Sequence, residues 1–167
     1  DAADAGDLER GVLAVQLDGG GPDEIGEGVA AGGDGGDETR YRKGTLYLYN
    51  NTIVSTRSGN TTLLRLSTDD ESCDALNNII YTSEPGTRLA MLNDAGTISL
   101  RNNWLKTGWV NSHSPGTETV NELGNLEGEE PGFSEFSAQD FQPTESSQCI
   151  DSGTSLPGEV LPEHLPV

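Results

Sequence analysis

The sequence predicts an all-β fold, a parallel β-helix solenoid of about three recognisable rungs between irregular acidic flanks. Three observations carry that expectation. The first is a motif written three times, apolar-x-apolar-x-Asn-Asn: Leu46-Tyr47-Leu48-Tyr49-Asn50-Asn51, Cys73-Asp74-Ala75-Leu76-Asn77-Asn78 and Ile98-Ser99-Leu100-Arg101-Asn102-Asn103. The second is its spacing: the pairs begin at residues 50, 77 and 102, and repeats of about 20 to 50 residues built from short strands mark a solenoid. The third is charge placement. Residues 44–106 are almost neutral at −1, whereas residues 1–43 carry −7 and residues 107–167 carry −11 of the net −19, so the repeat is set off from its flanks.

Three segments follow: an acidic, Gly-rich stretch over residues 1–43, rungs over 44–110, and an acidic C-terminal wrap over 111–167. Within the first, Gly11 to Leu17 reads as one buried strand. Asp18 to Glu38 is rich in glycine and has few bulky side chains, so it reads as a long or mobile loop that cannot offset its ordering cost. Gly32-Gly33-Asp34-Gly35-Gly36-Asp37 matches the first six places of a calcium-binding nonapeptide, but Thr39 stands where a large apolar residue belongs and no tandem copy follows. The expectation is therefore a plain loop and no cofactor, with calcium here as the alternative.

From Thr45 the alternation has a period of two, which places Leu46, Leu48 and Asn50 on one side, with Cys73, Ala75, Asn77 and Ile98, Leu100, Asn102 in the same roles. A second strand type lies between the motifs, Leu63 to Ser67, echoed by Leu89 to Asn93. Polar corners at Arg57 to Asn60, Thr68 to Ser72, Ser83 to Gly86 and Asn93 to Gly96 separate the strands. The alternation makes Asn50, Asn77 and Asn102 inward residues. Buried amides are costly unless bonded, and stacking them one rung apart would satisfy each from its neighbours. The second Asn of each pair then takes the corner, where Asn tolerates left-handed backbone. Ile53, Ile80 and Leu105 form a further aliphatic column. Cys73 shares a position with Leu46 and Ile98, so it reads as a small buried thiol, although a single bridge to Cys149 stays open.

The segments Asn50-Asn51-Thr52-Ile53-Val54 and Asn77-Asn78-Ile79-Ile80-Tyr81, with the closing run Pro131-Gly132-Phe133…Asp140-Phe141…Cys149-Ile150-Asp151-Ser152-Gly153, resemble the C-terminal part of secreted right-handed parallel β-helix proteins, the pectate-lyase-like superfamily. The resemblance covers roughly residues 44–155. It implies a right-handed parallel β-helix solenoid, an extracellular or cell-surface location, and polysaccharide as a partner. The superfamily includes polysaccharide lyases, glycoside hydrolases, adhesins and fibre proteins, so the likeness speaks for fold rather than activity. Three rungs are near the minimum for a stable stack, and residues 1–43 do not look like a cap. The expectation is thus a fragment or processed half, completed by rungs on another chain or by copies of itself end to end.

No catalytic motif is expected in this chain. If the whole protein is an enzyme, it is a polysaccharide lyase or glycoside hydrolase. His113 and His164 lack partners at metal-ligand or triad spacing, and the acidic clusters Asp69-Asp70-Glu71 and Glu129-Glu130 read as solvated faces, so no metal site is assigned. Glycan contact is the binding chemistry on offer. Tyr47 and Tyr49 alternate against Leu46 and Leu48 and should face outward, as should Arg65 and Arg101. Exposed aromatics on a β-helix face can stack on sugar rings, or equally lie under a covering loop such as the Gly-rich segment, and the two arginines read otherwise as surface charge balance. Asn50 and Asn60 head glycosylation sequons, with Asn50 expected to be buried and Asn60 exposed. The charge of −19 argues against nucleic acid and anionic membrane partners, and no apolar run is long enough to span a bilayer. The chain opens Asp-Ala-Ala-Asp, so it reads as cytosolic or already processed, and the resemblance favours the second. Two function classes result: the C-terminal, mainly structural portion of a carbohydrate-active or carbohydrate-binding protein, or a subunit of an extracellular fibre or adhesin built by stacking coil ends.

Overall fold

A computed structural model describes the backbone of Val15–Gln16 and Gly26–Ala30 and all of residues 43–156. The strands are β1 (Val15–Gln16), β2 (Gly26–Ala30), β3 (Gly44–Tyr49), β4 (Thr52–Ser55), β5 (Thr61–Arg65), β6 (Glu71–Leu76), β7 (Ile79–Thr82), β8 (Leu89–Leu92), β9 (Thr97–Arg101), β10 (Trp104–Lys106), β11 (Thr119–Leu123), β12 (Leu126–Gly128), β13 (Phe133–Glu135) and β14 (Asp140–Pro143). Three sheets form the coil: sheet I in the order β11-β9-β6-β3, sheet II as β1-β4-β7-β10-β12, and sheet III as β2-β5-β8. Every pairing within them is parallel. The chain visits the sheets in turn, and Val110, bridged in parallel to Ala90, supplies the third side of the third turn. This is the parallel β-solenoid of about three turns that the repeat predicts.

Register explains the core. Leu46, Cys73, Ile98 and Val120 stack in one column, and Leu48, Ala75 and Leu100 in the next, where a small residue sits between two large ones. Ile53, Ile80 and Leu105 stack past the corner as expected. Cys73 is buried among them and, like Cys149, is a free thiol.

The Asn pairs do occupy corners, but their roles are the reverse of the expectation. Asn50, Asn77 and Asn102 are the residues with left-handed backbone, at φ of 58°, 57° and 51°. Asn50 is exposed, and Asn77 and Asn102 are half-buried. A left-handed residue ends the period-two alternation, so the next side chain, not this one, turns inward. Asn51 Nδ2 donates to Asn78 Oδ1 (3.0 Å), Asn78 Nδ2 to Asn103 Oδ1 (2.9 Å), and Asn103 Nδ2 to Asn125 Oδ1 (3.1 Å). Each accepting Oδ1 also takes the backbone N–H of the residue that reaches it. The remaining amide hydrogens of Asn78, Asn103 and Asn125 go to the carbonyls of Leu48, Ala75 and Leu100. The first residues of the pairs make a lesser contact, Asn77 Nδ2 to Asn50 Oδ1 at 3.1 Å. The Asn50 sequon is consequently accessible, as is Asn60.

Asn125 belongs to a further rung inside the segment read as C-terminal wrap. There Gly124, at φ 70°, takes the left-handed place that Asn holds elsewhere, and the coil continues through β11 and β12. This rung closes the stack with polar residues. Glu122 lies in register with Leu100, and Glu127 with Leu105. Both are exposed, and Glu127 Oε1 accepts the indole N–H of Trp109 at 3.0 Å.

Towards the other end, β2 pairs with β5, so a strand interrupts the loop expected over residues 18–38. Of the strand expected at Gly11 to Leu17, Val15–Gln16 pairs with β4. The Gly32 to Asp37 segment and His164 lie outside the described residues.

The closing segment does not add a rung. It folds as an antiparallel hairpin, β13 against β14, with a 3-10 turn at Phe136–Ala138. Its aromatics cover the outer face of sheet II: Phe133 and Phe141 pack on Val54, Tyr81 and Trp104, with ring centroids 6.0 Å apart for Tyr81–Phe133 and 5.3 Å for Phe133–Phe141. Gly128 is required beneath this layer, because a Cβ there would come within 2.8 Å of Trp104. Asn77 pins the end of the wrap. Its Nδ2 donates to the Thr154 carbonyl (2.7 Å) while Thr154 N–H donates to its Oδ1 (2.9 Å).

The two Asn positions should respond oppositely to substitution. Asn78→Ala strands the Asn51 N–H and the Leu48 carbonyl, each a loss of roughly 1–3 kcal/mol, so urea unfolding should show a destabilisation of about 3 kcal/mol. Asn102→Gly supplies left-handed backbone at no steric cost and should stay within about 1 kcal/mol of the parent. Equal losses at the two sites would refute the assignment.

Candidate functional site

The outer face of sheet I contrasts with that of sheet II, which the hairpin covers. Outward side chains fall into three columns by register: Thr45, Ser72, Thr97 and Thr119; Tyr47, Asp74, Ser99 and Asn121; Tyr49, Leu76, Arg101 and Leu123. The face therefore carries five hydroxyls, the Asn121 amide, the Asp74 and Arg101 charges and an exposed Leu123, with two phenols at its β3 border.

Tyr47 is 51% exposed, while its ring rests 5.8 Å from that of Tyr49 at an interplanar angle of 55°. Tyr49 is half-buried and anchored: its hydroxyl donates to Asp74 Oδ2 at 2.6 Å. Asp74 also receives Arg101, through Nε to Oδ1 (3.1 Å) and Nη2 to Oδ1 (2.8 Å) and Oδ2 (2.6 Å). Leu76, between Tyr49 and Arg101 in register, is buried at 1% exposure, so the network has an apolar floor. Burial pushes the Tyr49 hydroxyl up to about 12, reinforced by the hydrogen bond to Asp74 and its charge. The same carboxylate raises Arg101 above the ordinary guanidinium value. At the border, Lys43 pairs with Asp70 at 2.5 Å, and Thr45 Oγ1 meets Ser72 Oγ at 2.9 Å.

The structure thus brings Tyr47, Tyr49 and Arg101 together, and places Arg65 elsewhere, in β5 of sheet III. Asp74, which holds the group together, was legible only as an outward residue beside Cys73; its partners lie 25 residues before it and 27 after. Among the described residues, no group of three His, Cys, Asp or Glu is disposed to hold a metal ion. His113 is half-buried, with Nε2 3.1 Å from the Thr61 carbonyl. Asp74 has its oxygens committed to Tyr49 and Arg101, so it is arranged to hold a surface in shape rather than to move a proton, and glycoside hydrolysis needs two carboxyls across a gap. The face offers one exposed ring and rows of hydrogen-bonding groups.

No family model, curated protein or solved structure matches the chain.

Tyr49 and Cys73 are neutral in the fold. Burial lifts each to about 12 from ordinary values of 10.0 and 9.0. The unfolded chain loses these protons first, so their contribution to stability is intact below about pH 9 and drains away as the pH climbs to about 12. Thermal melts across that window should show a falling Tm. A Tyr49→Phe, Cys73→Val variant should fall less steeply, and an identical slope would refute the account.

Proposed function

We propose that this chain is the carbohydrate-binding, mainly structural portion of a secreted parallel β-helix protein of the pectate-lyase-like type, and that the outer face of sheet I is its glycan surface. The carrying observation is Tyr47, an aromatic ring left half open on a sheet face that also carries hydroxyl columns and a pre-ordered Tyr49–Asp74–Arg101 network. Sugar rings present apolar C–H faces with hydroxyls around their edges. Such a ring can stack on Tyr47 while its hydroxyls meet the Thr and Ser columns. Tyr49 and Arg101 are already bonded, so little side-chain freedom would be lost on binding. The motif resemblance supports an extracellular setting and a polysaccharide partner.

The alternative, a fibre subunit stacking through open coil ends, draws less support. Glu122 and Glu127 stand in the inward columns of the last rung, so stacking another coil there would bury two carboxylates, which is costly without partners. At the other end, β1 occupies the edge of β4 that a neighbour's sheet II would need.

Native gels cast with a panel of soluble neutral and acidic polysaccharides should retard the chain with at least one of them. Tyr47→Ala should weaken that interaction about tenfold, or about 1.4 kcal/mol. Unaltered migration with the whole panel would count against the reading. Sedimentation over a wide concentration range should give a constant coefficient, whereas concentration-dependent growth would favour the fibre.

A further inference from the structure

Resting on the glycan reading above, we infer that the sheet I face takes a neutral polysaccharide and rejects polyuronates. Recognition of a uronate chain needs cationic groups with unspent charge, because each sugar brings a carboxylate that must be desolvated and paired. Among the described strand residues of sheet I, Arg101 is the single cation, and Asp74 holds it by three contacts of 2.6–3.1 Å. Lys43, just before β3, is paired with Asp70. The pair Asp74–Arg101 is neutral as a unit, and the chain as a whole carries −19, so a polyanion approaching this face meets net repulsion.

The remaining groups suit uncharged sugars. Thr45, Ser72, Thr97, Thr119, Ser99 and Asn121 can each donate and accept, as sugar hydroxyls do. Their columns run across the strands, one residue per rung, at a spacing of about 4.8 Å. That is close to the rise of an extended pyranose polymer, so a glycan laid along the coil axis would meet about one rung per sugar. Tyr47 sits at the β3 end of such a path and Asn121 at the β11 end. The Asp74 carboxylate therefore does more than anchor Tyr49, because it neutralises the one cation among the described sheet I strands and sets which polymer can lie on it.

The test compares retardation in native gels containing hydroxyethyl cellulose, arabinoxylan or galactomannan with gels containing polygalacturonate or alginate, at low ionic strength. Retardation by at least one neutral polymer and by neither polyuronate is expected. Equal or stronger retardation by a polyuronate would overturn the inference while leaving the glycan surface standing. Unaltered migration with all five would overturn both. Asp74→Asn releases the Arg101 charge and should raise the affinity for polygalacturonate at least threefold, while Asp74→Asn with Arg101→Gln should cancel the gain. An unchanged response to polygalacturonate in Asp74→Asn would also overturn the inference, provided circular dichroism shows the parent's strand content.

Discussion

The coil depends on the line of side-chain amides Asn51, Asn78, Asn103 and Asn125. A parallel β-solenoid must turn a corner on every rung, and at the corner the backbone N–H and C=O groups leave the sheet ladder. The inward Asn repairs this. Its carbonyl receives the N–H of the corresponding residue in the rung before, and its amide reaches a carbonyl of that rung. Buried polar groups are thereby satisfied in a place where water does not reach, and successive rungs are held to one register. The preceding residue must be left-handed for the next side chain to turn inward, which is why the pair is Asn-Asn or Gly-Asn. Slippage by one residue would cost every amide its partners at once.

With the interior settled this way, the outer faces diverge. On sheet II, Val54, Tyr81 and Trp104 make an apolar surface that β13 and β14 cover with their aromatic rings, and Asn77 clamps the end of that wrap. Sheet I has hydroxyls and the Asn121 amide in the outward columns, with the Asp74–Arg101 pair closed on itself. The coil's last rung replaces inward Leu with Glu, which makes a solvated terminus rather than a surface for another rung. Sheet II is thus covered, sheet I is polar, the last described rung ends in carboxylates, and on sheet I Asp74 neutralises Arg101.

Much of the fold was legible because local pattern and long-range structure coincide in a solenoid. Each residue's neighbours in space are its counterparts one repeat away, so columns such as Ile53, Ile80 and Leu105 appear in the sequence as aligned letters. Legibility failed where local geometry departs from the pattern. Counting by twos carried Asn50, Asn77 and Asn102 inward, because alternation assumes extended backbone and the left-handed residue at the corner breaks it. The last rung escaped notice because Gly124 stands where Asn would have marked it and because Glu122 and Glu127 replace the apolar letters. β2 escaped because its glycines resemble a loop and its partner β5 lies more than thirty residues away.

The sequence by itself determined the period, the parallel coil, the inward aliphatic columns and the outward placement of Tyr47, Tyr49 and Arg101, since each follows from residue type at a fixed repeat. Only the tertiary structure decided which Asn of each pair is buried, that Asp74 joins Tyr49 to Arg101, and that the closing segment covers sheet II. The physical reason is common to these. Backbone handedness at one corner residue and the choice of sheet face are settled by hydrogen bonds and packing between segments distant in the chain, and no local pattern encodes them.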